Sequence, residues 1–256
     1  MELKRPFAAR SHDQQFRLAS ASHRERHSRC HHGGSQPVVN IEVFVSEAIP
    51  RFDERFINHF AELIRWRRDV RRFRHDPVRA ELLDTIINLS SFSPSVGYSQ
   101  PWRFMWVRRP DLRTAIRANF LSCNKDALDA YAGERAELYA RLKLAGLDDA
   151  PEHLAVFCDM QTQTGQGLGR KTMPEMLEYS AVMAVHTLWL AARVYGLGVG
   201  WVSILEPSKI KKILEAPNDW KLIAYLCVGY PEEEHSDPEL ARHNWEHYRK
   251  PEILVR

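Results

Sequence analysis

The first regular pattern of apolar residues starts shortly after position 50. In the segment FDERFINHFAELIRWRRDV, the apolar positions Phe56, Phe60 and either Leu63 or Ile64 recur three or four residues apart. This spacing places them on one side of a helix. It predicts an amphipathic helix that ends close to the arginine run RWRRDVRRFR, residues 65–74.

A second helix is predicted after the arginine run. Asp76 and Pro77 form a helix start signal, and LLDTIINL supplies an apolar face that ends at the turn-forming sequence SFSPSVGYSQP. The arginine run therefore lies at a junction between two helices, where backbone N–H groups are free to bind an anion.

Patterns typical of strands and of helices alternate in the rest of the chain. WRFMWV (102–107), LAVFCDM, GVGWVSI and LIAYLCVGYP are predicted strands, and residues 111–147 are predicted to form charged surface or lid helices. QTQTGQGLGR is predicted to be a polar loop, and MPEMLEYSAVMAVHTLWLAARVYG a long helix that is apolar nearly all round. Such a helix needs cover on several sides, from its own sheet or from a second subunit.

The region around this long helix reaches the length of a membrane span. Because it carries His186, Arg193 and several glycines, we interpret it as a buried helix followed by a strand and expect no membrane association. We expect His186 to be a core histidine whose hydrogen bonds are satisfied.

Composition is typical of a globular protein. The chain has 256 residues, of which 44% are hydrophobic, and a formal net charge of +3, so the composition gives little support for nucleic-acid binding. Residues 1–50 are rich in Arg, His, Ser and Gln without an apolar period, which predicts a disordered basic extension before a domain over residues 51–256. The four cysteines are far apart and lack metal-ligand spacing. We therefore expect free thiols, a cytoplasmic location and no metal site.

The arginine run is the first candidate site. The guanidinium groups of Arg67, Arg68 and Arg71 can make forked, charge-assisted hydrogen bonds to a phosphate. Positive charge around Asp69 is expected to favour its ionised form. The competing interpretation is a solvated helix end with an internal ion pair, because most charge runs are simply exposed.

Two glycine-containing stretches are the other candidates. SPSVGYSQPW, residues 93–102, offers backbone groups and a side-chain amide to a polar ring system, or else it is a connecting loop whose Trp102 enters the core. In GVGWVSI, Gly198 and Gly200 permit close approach of a ligand to the backbone, and Ser203 offers a hydroxyl. Taken alone, a serine in a strand is more often without a function.

Two common types of site do not match the sequence. No G-x-S-x-G turn surrounds Ser203, and neither His186 nor His153 comes with a recognisable orienting partner for a hydrolase triad. GLGVG has the wrong glycine spacing for a dinucleotide-binding fingerprint and follows a helix.

Taken together, RRDVRRF, SPSVGYSQPWRF, LGR, LEYSAVMAVHTLWLAARVYGLGVGWVSI and LCVGYP closely resemble the nitroreductase-like flavoproteins, from about Phe52 to the C-terminus. The resemblance implies an α+β fold, a three-layer α/β/α sandwich with a mixed, mainly antiparallel sheet, in an intertwined homodimer that binds FMN at the subunit interface. General nitroreductases usually carry serine or a similar residue in place of Asp69. The combination of Asp69 with GVGWVS is similar to the members that destroy their flavin.

This narrower resemblance implies an oxidoreductase with reduced FMN as substrate and O2 as co-substrate. Its implied products are 5,6-dimethylbenzimidazole, the lower base of vitamin B12, and erythrose 4-phosphate, and a flavin reductase is implied as the source of reduced FMN. Asp69 and Ser203 are implied as the functional pair. Our hypothesis is that Asp69 is the base that removes a proton near the ribityl carbon attached to the ring, and that Ser203 positions the flavin or its peroxide adduct. The helices of residues 111–150 are implied as the lid. The implied flavin-binding residues are Arg67, Arg68, Asp69, Val70, Arg71, Pro94, Ser95, Gly97, Gln100, Leu168, Gly200 and Ser203.

Two other interpretations stay open at the level of sequence. An NAD(P)H-dependent nitroreductase would use FMN and return it intact. A nucleic-acid-binding module built on the arginine run would bind DNA with steep salt dependence, but it gives SPSVGYSQPW and GVGWVS no purpose. The C-terminal contact to a phosphate is also open, with Arg242 and His243 as candidates.

Overall fold

The computed structural model describes residues 49–144 and 146–256. Nearly all of the predicted basic extension over residues 1–50, including Cys30, therefore lies outside the described residues. The elements in chain order are α1 (Glu54–Trp66), α2 (Ala80–Ser90), a 3-10 turn (Val96–Tyr98), β1 (Trp102–Trp106), α3 (Pro110–Asp129), α4 (Glu134–Arg141), β2 (Glu152–Asp159), α5 (Met176–Val194), β3 (Gly198–Val202), α6 (Pro207–Ile213), β4 (Trp220–Gly229) and α7 (Glu239–Arg242). Every strand and long helix predicted from the sequence is present.

The four strands form one antiparallel sheet in the order β1-β2-β4-β3. The arginine run lies along the β3 edge of this sheet, where Asp69 makes a parallel bridge to Val199 and Phe73 an antiparallel bridge to Pro231. The sheet itself is antiparallel, and the isolated bridge at Asp69 adds the one parallel pairing seen among the described residues.

Helices cover both faces of the sheet. Leu154 and Leu226 point to one face, where they pack with residues of α2 and α5. Phe157 and Tyr225 point to the other face and pack with residues of α3 and α6. This alternation of side chains along each strand produces the predicted three-layer α/β/α arrangement.

Helix α1 is amphipathic, but its apolar side is exposed. Asp53 caps the helix by accepting a hydrogen bond from the N–H of Phe56 at 2.8 Å. None of the helix residues is buried, and Phe56 and Phe60 are each 48% exposed. The predicted apolar face thus forms, but in a single chain most of it is uncovered, and of its predicted positions Leu63 is the one that is half-buried.

Two local predictions are wrong. Helix α2 begins after Arg79 and not at the predicted start signal, since the carboxylate of Asp76 pairs with Arg74 at 2.7 Å instead of capping the helix. His186 is exposed on α5 and is not in the core. The prediction failed because the sequence of a helix that is apolar nearly all round does not reveal which side faces the sheet. The core histidine is His153, which is 2% exposed and places Nδ1 2.8 Å from the Tyr225 hydroxyl.

Within the described residues, no helix is long and apolar enough to cross a membrane.

Candidate active site

The arginine run docks against β3 through two glycines. The N–H of Val70 donates to the carbonyl of Val199 at 3.0 Å. A Cβ atom added at Gly200 would stand 2.1 Å from the Val70 carbonyl oxygen, and one added at Gly198 would stand 2.7 Å from a methyl group of Val70. The close approach that the glycines permit is therefore made by the chain itself, and contact of Gly200 with a ligand stays a prediction.

Asp69 is fixed at the end of β3. One of its carboxylate oxygens accepts a hydrogen bond from the N–H of Trp201 at 2.9 Å, and the other accepts from Nε of Arg71 at 3.0 Å. The side chain of Asp69 is still 35% exposed, so a ligand can reach it. Ser203 follows directly after β3 and is also exposed. The sheet thus brings Asp69 and Ser203 to the same strand end.

Arg67 and Arg68 are held by α5, and no carboxylate of the described ranges pairs with them. The indole N–H of Trp189 donates to the Arg68 carbonyl at 3.0 Å, and its ring centre lies 5.2 Å from the Arg67 guanidinium carbon. Within the described residues, neither arginine forms an ion pair, and the buried Nε atoms of both have no hydrogen-bond partner. Burial, and then the charge of Arg67, lower the pKa of Arg68. An anion between the two guanidinium groups would satisfy these donors.

Trp189 is a residue of this site that sequence reasoning missed. It lies on α5, where one more aromatic residue in a nearly continuous apolar pattern gives no signal of a contact to the arginine run.

In the C-terminal strap, residues 231–245, sequence reasoning named Arg242 and His243 as open candidates but missed the contacts of the strap with the arginine run. Arg68 donates a hydrogen bond to the carbonyl of Ser236 in the strap. Arg72 pairs with Glu233 at 2.7 Å and with Glu239 at 3.1 Å. The acidic sequence EEEHSDPE, opposite the predicted arginine site, is the signal that would have indicated these pairs.

Arginine side chains from both the run and the strap line one surface cleft. Arg68, Arg71 and Arg242 contribute to its walls. Arg242 pairs with Asp237 at 3.2 Å, and the second candidate for a phosphate contact, His243, lies 3.8 Å from Glu239. Arg242 is thus placed at the cleft, and its contact with a phosphate stays a prediction.

The remaining predicted residues gather at a second place, between two loops. Gly97 has a φ of +55°, and a Cβ atom there would stand 2.9 Å from the carbonyl oxygen of Leu168. Oγ of Ser95 accepts from the N–H of Gln100 at 3.0 Å, and Pro94 and Leu168 are exposed. Glycine at position 97 is therefore what allows the two loops to pack.

The predicted residues form two groups in one chain. The arginine group comprises Arg67, Arg68, Asp69, Val70, Arg71, Gly200 and Ser203, and the loop group comprises Pro94, Ser95, Gly97, Gln100 and Leu168. No hydrogen bond or ion pair within the described residues joins the two groups. Trp102, next to the loop group, is 8% exposed and enters the core, as the alternative interpretation of that loop expected.

The arginine run is not an open basic face. Arg71, Arg72 and Arg74 are each paired with a carboxylate, which is unfavourable for binding a nucleic-acid backbone. The part of the chain that is described contains no group of three or more His, Cys, Asp or Glu side chains that could hold a metal ion.

Residues 64–230 match the nitroreductase family. The chain is 50% identical to the 5,6-dimethylbenzimidazole synthase of Rhodospirillum rubrum over 207 residues, which are 81% of this chain and 98% of that relative. It is 46% identical to the 5,6-dimethylbenzimidazole synthase of Rhodobacter capsulatus over 195 residues, which are 76% of this chain and 94% of that relative. The chain belongs to the nitroreductase family, among the 5,6-dimethylbenzimidazole synthases.

The nitroreductase family fold is also found in a solved structure. Iodotyrosine deiodinase bound to FMN and 3-iodo-L-tyrosine matches with a TM-score of 0.60 and 26% identity, over 77% of this chain and 97% of that chain. The family match spans both groups of site residues, so the resemblance predicted from the sequence motifs is confirmed.

Proposed function

We propose that the protein is a 5,6-dimethylbenzimidazole synthase that converts reduced FMN and O2 into 5,6-dimethylbenzimidazole and erythrose 4-phosphate, with the pyrimidine portion of the flavin ring released as a further product. The observation that carries the proposal is the Asp69 carboxylate, fixed by Trp201 and Arg71 beside two arginines that have no carboxylate partner in the described chain. The 50% identity to the Rhodospirillum rubrum synthase supports it. As substrate, reduced FMN supplies the electrons that O2 accepts and the carbon skeleton of the product.

Arg67 and Arg68 hold the phosphate of the substrate in this proposal. The unpartnered Nε atoms of both residues fit that role, because a phosphate offers several strong acceptors to two neighbouring guanidinium groups. Arg71 has a different task. Its guanidinium group already binds Asp69 and, at 3.4 Å, the carbonyl of Lys143, so it orients the carboxylate.

Asp69 acts as the general base. It takes a proton from the ribityl carbon attached to the flavin ring, and its two hydrogen-bond donors fix the direction in which the carboxylate points. Ser203, exposed at the end of the same strand, positions the flavin. Helices α3 and α4 form a lid that excludes water from the reaction.

A complete site requires a homodimer in this proposal. The exposed apolar side of α1 and the exposed residues Tyr179 and Met183 of α5 supply an apolar surface for a second subunit. The arginine group of one subunit then meets the loop group of its partner, with FMN between them. The free cysteines Cys123, Cys158 and Cys227 support a cytoplasmic location, where a flavin reductase supplies reduced FMN.

Aerobic incubation with chemically reduced FMN tests the proposed function. We expect 5,6-dimethylbenzimidazole to accumulate as FMN is lost, measured by chromatography and mass spectrometry, and no product in an anaerobic control. Quantitative return of intact FMN would contradict the proposal and would support a nitroreductase that keeps its flavin.

A further inference from the structure

Three aromatic rings join the proposed lid to the C-terminal strap. The ring centres of Tyr131, in the turn that precedes α4, and of Tyr139, within α4, lie 5.0 Å apart. The ring of Trp245 lies 5.7 Å from Tyr131 and 6.2 Å from Tyr139, and the guanidinium carbon of Arg135 lies 5.4 Å from the centre of the Trp245 ring. Distances of this kind are favourable for aromatic and cation–π contacts. Trp245 therefore contacts both the start and the middle of α4.

The end of α7 places Trp245 at this position. The helix ends at Arg242, and Asn244 adopts a left-handed conformation with a φ of +55°. The N–H of Trp245 then donates to the carbonyl of Leu240 at 2.9 Å, which is the hydrogen bonding of a helix C-terminus that turns the chain back. The direction of the Trp245 side chain is thus set by local backbone structure.

The other end of the strap is attached to the arginine run. Arg68 donates to the Ser236 carbonyl, and Arg72 pairs with Glu233 and Glu239. A second connection lies at the end of α4, where Arg71 donates to the Lys143 carbonyl at 3.4 Å. Helix α4 is therefore connected to the arginine run at two places, through Arg71 and through the strap.

We propose that Trp245 is a positioning residue that holds α4 closed over the site and so determines how much reduced FMN becomes product. It does not touch the reacting atoms. Without the ring, α4 keeps the Arg71 connection and the hydrogen bond from the Tyr139 hydroxyl to Asn124 of α3, but it loses its attachment to the strap. It then opens more often, and water reaches the site. Reduced FMN is then oxidised by O2 to FMN, with hydrogen peroxide as the reduced oxygen product, instead of being fragmented. This inference rests on the proposed function only for its effect on product yield.

Hydrogen exchange in the flavin-free protein tests the positioning role directly. We expect Trp245→Ala to speed amide exchange in α4 by roughly tenfold, because local opening becomes easier when the aromatic contacts are lost. Exchange in β2 should not change. Trp245→Phe should restore slow exchange, because it keeps a ring at the contact. Tyr248→Ala is the matched control, since Tyr248 is 86% exposed only three positions along the chain.

The product yield of the same variants gives the second measurement. We expect Trp245→Ala to lower the 5,6-dimethylbenzimidazole formed per reduced FMN consumed by roughly tenfold, with a matching rise in FMN and hydrogen peroxide, and Tyr248→Ala to leave the yield unchanged. If Trp245→Ala does not fold, Tyr131→Ala removes one of the aromatic contacts of Trp245 from the side of the lid and should speed α4 exchange in the same direction. Unchanged α4 exchange in the folded variant would overturn the inference whatever the enzyme makes. An absence of product from the unaltered protein would instead contradict the proposed function.

Discussion

At the scale of single residues, Asp69 combines a structural role with the proposed chemical one. Its carboxylate receives both a backbone N–H from β3 and the side chain of Arg71. A substitution that removes the whole carboxyl group would disturb the docking of the arginine run and the chemistry together. Asparagine keeps the backbone contact alone, because its amide oxygen can still accept the N–H of Trp201, while its NH2 group can neither accept from Arg71 nor take a proton.

We therefore predict that Asp69→Asn binds FMN normally but forms product at least roughly 100-fold more slowly. This factor is about the smallest rate loss expected when a general base is removed. Single-turnover product formation and an FMN titration measure the two effects. Asp76→Asn is the control, because Asp76 pairs with Arg74 at the same two-residue spacing on the surface. Full product formation by Asp69→Asn would show that the base is another group.

The buried His153 predicts a pH dependence of stability. Burial, and then the charge of Arg113, lower the pKa of His153 from 6.5 to about 4. Between these values the unfolded chain binds a proton that the folded chain does not, so the free energy of unfolding falls as the pH drops from 6.5 towards 4. The loss is at most about 3–4 kcal/mol, because each pH unit between the two pKa values contributes roughly 1.4 kcal/mol.

Denaturant unfolding at pH 7, 5.5 and 4.5 measures this loss. His153→Gln keeps a polar partner for the Tyr225 hydroxyl but has no titrating ring, so its unfolding free energy should fall less over the same range. An equal fall in both proteins would mean that other groups cause it.

At the scale of elements, the arginine run is held to β3 by the absence of a side chain at position 200. We predict that Gly200→Ala lowers the free energy of unfolding by about 1–3 kcal/mol and weakens FMN binding, because the added methyl group meets the Val70 carbonyl oxygen at 2.1 Å. Denaturation and an FMN titration provide the measurements.

Gly196→Ala is the matched control for this substitution. Gly196 follows α5 with a φ of +72°, and an added Cβ atom would meet no other atom within 4 Å. Gly196→Ala should lower the free energy of unfolding by about 1 kcal/mol through backbone strain and leave FMN binding unchanged. Equal losses of FMN affinity in both variants would rule out the docking contact as the cause.

The elements themselves were largely predictable, because their patterns are local. The strand WRFMWV and the helix around Phe56 and Phe60 follow from side-chain type and spacing alone. The orientation of α5 did not follow, since its apolar pattern has no polar side, and His186 was consequently assigned to the wrong face. The start of α2 was missed because the side chain of Asp76 binds a neighbouring arginine.

At the scale of the whole molecule, the site is divided. The motifs predicted the members of both the arginine group and the loop group, because each motif carries its own chemistry. Their separation within one chain and the contribution of Trp189 depend on tertiary contacts, which have no local pattern. A homodimer would unite the two groups, and this arrangement can be tested by mixing inactive subunits.

We predict that a mixture of Asp69→Asn and Gly97→Val subunits recovers roughly a quarter of the unaltered activity. Half of the dimers formed at random are mixed, and each of these has one site free of both changes. A mixture of Asp69→Asn with Ser203→Ala should recover nothing, because both changes lie in the arginine group. Product formation after subunit exchange is the measurement, and recovery in neither mixture would contradict a site shared between subunits.

The docking of the arginine run on β3 also has a consequence for solubility. β3 is an edge strand of the sheet, and its sequence GVGWV is apolar and uncharged. An uncovered edge of this kind can pair with the same strand of another molecule and begin aggregation. The N–H of Val70 and the carboxylate of Asp69 occupy hydrogen-bonding groups of that edge. The segment proposed to bind the flavin therefore also protects the folded protein from association through its sheet.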